Sequence, residues 1–362
     1  MNGCIRPLPA IGRRSRRPAA LFRGVCALAL SAAIPPVTQA HAAGKEHRFL
    51  TRADLISEYT DNLFHYSKRR LDEFDAEDAD GERFHGLDGS SDVVTRLRLR
   101  PEYRWRPRKE RELRVSLGVA YYQHARNTIA DYLEISTGLE ADVTKRDRLV
   151  FDVSQTIDRF GKNFKDTAAD LFDAAFYDET DVRIGYTRRF GKRWDGGADY
   201  EMRRRRYNEK FSSRDSDGDY LNLRSSYSLG NRIDAETSFS YGVIESETGI
   251  DDGIPIDRSY DERRLAQSFK LGLSYGMHLG VDGVLRSRDY TTDVQEDEGR
   301  YKRKDDYSML RLEIGKEWKN GLSAALRGAL IDSDSDRIDP TVETDETGYE
   351  ESTLSVEIAY RF

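Results

Sequence analysis

Arginine recurs at every second position in one segment of the chain. Arg96, Arg98 and Arg100 alternate with leucines, and Arg104 continues the same spacing. Side chains two residues apart project from the same face of an extended strand, so this spacing predicts a ladder of guanidinium groups. Such a ladder presents fixed positive charge to polar or anionic solutes, which is the chemistry of a selectivity filter rather than of a catalytic centre.

The segments that follow carry further charges at the same spacing. Arg114 extends the basic ladder, and the acids at alternate positions are Glu134, Glu140, Asp142 and Asp152. We predict that these side chains line a wet interior as rows of opposite sign, which orient polar solutes and filter ions by charge. The alternative is that they pair with other inward charges, which include Arg286 and Arg311, and so close a narrow lumen.

The elements that must position these charges are strands of roughly ten residues. Residues 352–362 alternate polar and apolar side chains and end on an aromatic residue. We find about fourteen such segments, with aromatics at alternate positions, whereas an amphipathic helix would repeat its apolar residues every 3.6 positions. The mean hydropathy of -0.74 agrees, because a barrel with an apolar outer face has a polar lumen, polar turns and polar loops.

The connections between these segments alternate between short and long. Short ones have turn sequences rich in Gly, Asn, Pro and Lys; the long ones are residues 61–91, 159–178, 208–219, 245–262, 290–305 and 332–349, with a shorter one near residues 125–130. The sequence therefore predicts an all-β fold, a single transmembrane antiparallel up-and-down β-barrel of about 14 strands with short periplasmic turns and long extracellular loops. A soluble β-sandwich would also alternate, but it would bury a core rich in Ile, Val and Leu.

Two segments resemble sequences of bacterial outer-membrane proteins. The last strand, with Tyr360 and Phe362, resembles the closing strand of outer-membrane β-barrels, which implies that these residues form the signal read by the barrel-assembly machinery. Residues 57–64, Ser-Glu-Tyr-Thr-Asp-Asn-Leu-Phe, are similar to the opening of porin-like barrels, some of them associated with exopolysaccharide export. The resemblance implies a channel in the cell outer membrane, in contact with its lipid and lipopolysaccharide.

The N-terminal segment predicts a cleaved signal peptide over residues 1–42, followed by the barrel over residues 43–362. Five arginines precede an apolar run of about ten residues, which is too short to cross a bilayer as a helix. Cys4 and Cys26 both lie in this segment, so we expect no disulfide in the mature chain. Its removal takes away six arginines and no acid, and the formal net charge falls from -7 to -13, which argues against nucleic acid as a partner.

We expect neither an enzyme nor a cofactor. The histidines have no serine or carboxylate grouping of catalytic quality, and the calcium-loop-like residues 215–219 lack the downstream glutamate, so no metal site is expected. The leading hypothesis is an outer-membrane porin-like channel for passive passage of small polar or charged solutes. The alternative is an accessory barrel in export or assembly of a surface polysaccharide or other surface polymer, with polysaccharide-export components as partners.

Overall fold

The computed structural model describes residues 46–76, 83–108, 110–166, 171–230, 232–247, 249–251, 254–295, 297, 299–336 and 348–362. The predicted signal peptide lies outside these residues. Within them, fourteen antiparallel strands follow one another around a single closed barrel, as the sequence predicts. The first strand pairs with both the second and the last, which closes the sheet and leaves no exposed edge.

Sixteen strands and one α-helix are present in the described residues. The barrel strands are β1 (Glu46–Thr60), β2 (Asp92–Arg108), β3 (Arg111–His124), β4 (Tyr132–Asp142), β5 (Asp147–Asp166), β6 (Leu171–Phe190), β7 (Trp194–Tyr207), β8 (Ser216–Leu229), β9 (Ile233–Ser246), β12 (Tyr260–Gly272), β13 (Met277–Tyr290), β14 (Lys304–Glu317), β15 (Leu322–Asp336) and β16 (Tyr349–Arg361). A small hairpin of β10 (Gly249–Asp251) and β11 (Ile254–Ile256) lies in the loop after β9, and α1 (Lys68–Asp75) lies in the loop after β1.

The two faces of the barrel differ in polarity. On β16, Leu354, Val356 and Ile358 are each about half exposed on the outer face, whereas Ser355 and Glu357 on the inner face are buried. Exposed apolar side chains cover the outer face of the other strands as well, and such a surface is stable only against lipid. The protein is therefore a transmembrane β-barrel of the outer-membrane type, located in the cell outer membrane.

No helix in the described part of the chain is both long and apolar enough to cross a bilayer.

One end of the barrel carries the short connections. Each of its six turns has two to four residues, for example residues 318–321 between β14 and β15. Gly321 has φ 87°, and a Cβ atom there would lie 2.4 Å from the carbonyl oxygen of Arg361, so this turn requires glycine. Phe190, Trp194 and Trp318 are exposed near the same end, as expected of an aromatic girdle at a membrane interface.

The opposite end carries the long connections, with one correction to the prediction. The predicted loop over residues 159–178 is wrong, because β5 and β6 continue through most of it and are the longest strands of the barrel, at 20 residues each. Register shifts near Thr156 and Phe160 interrupt their pairing. Apolar packing stabilises the extension, because Phe160 and Phe164 are buried against side chains of other loops. The alternation of residues within one strand does not reveal such contacts.

The start of the first loop, residues 61–66, bridges the mouth at this end. Phe64 packs edge-on against Phe160 of β5, with ring centroids 5.7 Å apart. The next residue, His65, stacks on Tyr349 of β16 at 4.6 Å, and its Nε2 lies 3.1 Å from Oε2 of Glu351. Because β5 and β16 are five strand positions apart around the barrel, these contacts hold the loop across the opening.

Candidate functional site

The candidate site is the lumen, which is lined by the side chains that alternate with the apolar outer residues. The strand register carries this alternation around the barrel, since Arg52 of β1 is opposite Arg100 of β2 on one side and Arg361 of β16 on the other. The four arginines of the predicted ladder lie on the lumenal face of β2, and Arg114 lies beside Arg104 on β3. The ladder is therefore one continuous patch of the wall.

Three of these five arginines are neutralised by carboxylates. Nε of Arg98 donates to Oδ2 of Asp54 at 3.0 Å, across the pairing of β1 and β2. Arg104 contacts a glutamate of its own strand. Nη1 of Arg114 donates to Oε2 of Glu140 at 3.0 Å. These three side chains are fixed to the wall, and their charge is largely compensated there.

Arg96 and Arg100 differ from their neighbours. Neither has a carboxylate partner among the described residues. Arg96 donates to the hydroxyl of Tyr122 at 3.4 Å, and its guanidinium carbon stands 5.8 Å from the centre of that ring. The basic patch thus keeps two arginines that face the lumen without forming an ion pair in the described part of the chain.

The predicted acids lie on the same part of the wall as the arginines and not opposite them. They are Glu134, Glu140 and Asp142 on β4 and Asp152 on β5. These strands are the second and third neighbours of β2 around the barrel. Arg148 donates to Asp142 at 2.8 Å, and Arg183 donates to Asp152 at 3.1 Å. The charges therefore form a mosaic around the wall instead of two facing rows.

A chain of hydrogen-bonded side chains runs across six strands, from β13 to β2, and crosses the place where the barrel closes. Its members, in order around the barrel, are His278, Glu313, Arg327, Glu357, Arg52, Asp54 and Arg98. Sequence reasoning missed this chain, because it joins residues up to 305 positions apart. The only signal available was that its members occupy lumenal positions of their strands.

A ring of tyrosines, which we call the tyrosine collar, lines the half of the lumen nearest the long loops. Nine strands contribute one side chain each: Tyr122, Tyr132, Tyr177, Tyr207, Tyr220, Tyr260, Tyr290, Tyr307 and Tyr349. Arginines stand over several of these rings, for example Arg205 over Tyr177 at 4.7 Å and Arg203 over Tyr220 at 4.9 Å. Such cation–π contacts hold guanidinium groups in fixed orientations.

Glycine makes room for one member of the collar. The ring of Tyr220 on β8 lies over Gly242 on the neighbouring strand β9, and a Cβ atom at Gly242 would come within 2.4 Å of that ring. The ring therefore lies against the barrel wall and does not project to the axis of the lumen. The collar was not predicted from the sequence, because alternation within a strand does not show which tyrosines of different strands lie at the same level of the lumen.

Comparison with known proteins finds likenesses among solved structures only. No protein-family model matches the chain, and no curated protein matches its sequence. Among solved structures it is similar to the outer membrane channel DcaP of Acinetobacter baumannii, with 9% identity over 88% of this chain and 98% of that chain and a TM-score of 0.49. It is also similar to an anion-selective porin from Comamonas acidovorans, with 8% identity, coverage of 88% and 100% and a TM-score of 0.41.

A bacterial polysaccharide outer membrane secretin is a third such structure, with 8% identity, coverage of 86% and 98% and a TM-score of 0.43. At these identities and TM-scores the likenesses carry no argument about the solute or the function of this chain.

Proposed function

We propose that the barrel is a porin-like channel for passive passage of small polar or charged solutes. The observation that carries this proposal is the pair Arg96 and Arg100, whose charges face the lumen without a carboxylate partner among the described residues. Charged groups that serve only to fill a closed lumen are expected to be paired, because an uncompensated charge away from water is costly. Charges that face a wet channel need no such partner and act on the solute.

The arrangement of the ion pairs also favours a channel over a salt-bridged plug. Arg98 with Asp54 and Arg183 with Asp152 join neighbouring strands, and the pairs in the chain across the closure of the barrel do the same, except Arg52 with Asp54, which lies within β1. Because their partners lie on neighbouring strands or on the same strand, these contacts run along the wall. They therefore strengthen the barrel while they leave its interior to water.

The proposal includes the processing and assembly steps that the sequence predicts. Residues 1–42 would be removed on export, and the barrel of residues 43–362 would contact lipid and lipopolysaccharide. Tyr360 and Phe362, whose rings stack with centroids 5.7 Å apart at the end of β16, would form the assembly signal. A passive channel requires no catalytic group.

Swelling of proteoliposomes tests the proposal. Vesicles that contain refolded residues 43–362 are expected to swell in isosmotic solutions of small sugars and amino acids, at rates that fall with solute size. If neither this protein nor a variant lacking residues 63–88 of the first loop causes swelling, the channel proposal is wrong. Loss of surface polysaccharide on gene deletion, with solute permeability unchanged, would instead support the accessory role in polymer export.

A further inference from the structure

Three more arginines line one cavity in the lumen, far from the basic patch of β2. Arg264 on β12, Arg286 on β13 and Arg311 on β14 surround a cavity of about 350 Å³. These strands are four to six positions from β2 around the fourteen-stranded barrel, so the cavity lies on a different part of the wall. Its size is in the range of small-molecule sites.

The three guanidinium groups have few hydrogen-bond partners. Within the described residues, Arg264 has no ion pair or hydrogen bond, and Nη2 of Arg311 contacts only Sδ of Met309, at 3.8 Å. Arg286 lies 4.0 Å from Oε2 of Glu262, an oxygen that already accepts from Arg288 at 2.8 Å. In addition, Nε of Arg286 is buried and has no hydrogen-bond partner.

Two acids also line the cavity but do not neutralise these arginines. Glu236 lies 3.5 Å from Arg224, and Arg224 is not part of the cavity lining. Asp282 is opposite Arg311 in the strand register, yet the two side chains form no ion pair. The rest of the lining includes the hydroxyl groups of Ser238 and Ser268. The cavity therefore presents more unpaired cationic donors than its own acids satisfy.

Tyr307 fixes the orientation of one of the three arginines. It is opposite Arg286 in the register of β13 and β14, and the guanidinium carbon stands 4.4 Å from the centre of its ring. A guanidinium that stacks face-on against an aromatic ring keeps its N–H donors free at the edge. Tyr307 is thus a positioning residue for Arg286.

We propose that Arg264, Arg286 and Arg311 bind a small organic oxyanion, a carboxylate or a phosphate ester, as it passes through the lumen. The planar guanidinium fork matches both groups and binds them through paired hydrogen bonds. Three such forks around one cavity suit a solute with more than one anionic oxygen. This inference rests on the proposed channel function, for which it names a class of solute.

Equilibrium binding tests the inference without requiring conductance. Citrate and glucose 6-phosphate are titrated separately into the refolded barrel in detergent, with maltose as the neutral control, and the heat of binding is measured. We expect at least one anion to bind and maltose not to bind. In the Arg264→Gln/Arg286→Gln variant the affinity should fall by about tenfold or more, because charged hydrogen bonds are lost.

Two further variants guard against a purely structural explanation. Arg148→Gln/Arg183→Gln removes the same charge from ion-paired positions on β5 and β6, and it should leave the affinity nearly unchanged. Tyr307→Leu should weaken binding, while Tyr307→Trp, which keeps an aromatic face, should retain most of it. Heat-modifiable mobility on gels shows whether each variant is folded, and the comparison is made among folded variants.

The outcomes separate the oxyanion site from the channel. No binding of either anion by the folded wild-type barrel, or equal losses in the two double-arginine variants, overturns the site. A barrel that conducts ions but binds neither anion keeps the channel function and overturns the site. A barrel that binds citrate through these arginines but conducts nothing keeps the site and overturns the channel function.

Discussion

Nη2 of Arg52 lies 3.0 Å from Oε1 of Glu357, and this ion pair joins the first strand of the barrel to the last. The other carboxylate oxygen of Glu357 accepts from Nη1 of Arg327 at 2.6 Å. Both oxygens are thus engaged on the inner face, where the side chain of Glu357 is only 10% exposed. The contact links residues 305 positions apart, and it fastens the closure between β1 and β16.

Replacing Glu357 is expected to weaken this closure. Glu357→Gln removes the charge from a carboxylate that holds two arginines, and we expect the free energy of unfolding in urea to fall by about 1–3 kcal/mol. Asp217→Asn is the matched control, because this carboxylate also holds two arginines, Arg204 and Arg206, but at exposed positions where the pairs should contribute less than about 1 kcal/mol. Equal losses in the two variants would show that the closure does not depend on Glu357.

Adding one methyl group at Gly242 is expected to disturb the tyrosine collar. The new Cβ would lie 2.4 Å from the ring of Tyr220, so Gly242→Ala should destabilise the barrel by about 1–3 kcal/mol. Gly283 is the matched strand glycine, and a Cβ there meets nothing within 4 Å, so Gly283→Ala should be close to neutral. Urea midpoints of the two variants compare them, and a neutral Gly242→Ala would contradict the placement of the Tyr220 ring.

Truncating Phe64 is expected to release the first loop from the barrel mouth. Phe64 is buried against Phe160 and Tyr66, and the Phe64→Ala variant removes most of that packing. Trypsin should then cleave at Lys68 in α1 at least about tenfold faster, because local opening becomes easier. Asp75→Asn, on an exposed side chain of the same helix, is the control. Unchanged cleavage of Phe64→Ala would mean that other contacts hold the loop.

The fold could be predicted from the sequence because it depends on local regularities. The alternation of Leu354, Val356 and Ile358 with polar residues sets the two faces of a strand, and the lengths of the connections set the two ends of the barrel. The β5–β6 extension could not be predicted in this way. It depends on contacts of Phe160 and Phe164 with loops distant in sequence, and charged residues interrupt the local pattern there.

The candidate site could be predicted only in part. Alternation indicates which side chains share a face, and so it identified the arginines of β2. It does not indicate which strands meet across the closure, so the partnership of Arg52 with Glu357 was not foreseen. Alternation also cannot tell a paired charge from an unpaired one, and this is the difference between Arg98, which Asp54 holds, and Arg100.

Single-channel recording in planar bilayers tests the central claim most directly. Residues 43–362 are refolded, and conductance and reversal potential are measured in a salt gradient for the wild type, for Arg96→Ser/Arg100→Ser and for Lys192→Ser in a short turn. We predict a discrete conductance whose selectivity shifts toward cations in the double variant and not in Lys192→Ser, because only the former removes fixed positive charge from the lumen. A folded barrel that gives no conductance, even without residues 63–88, would contradict the account.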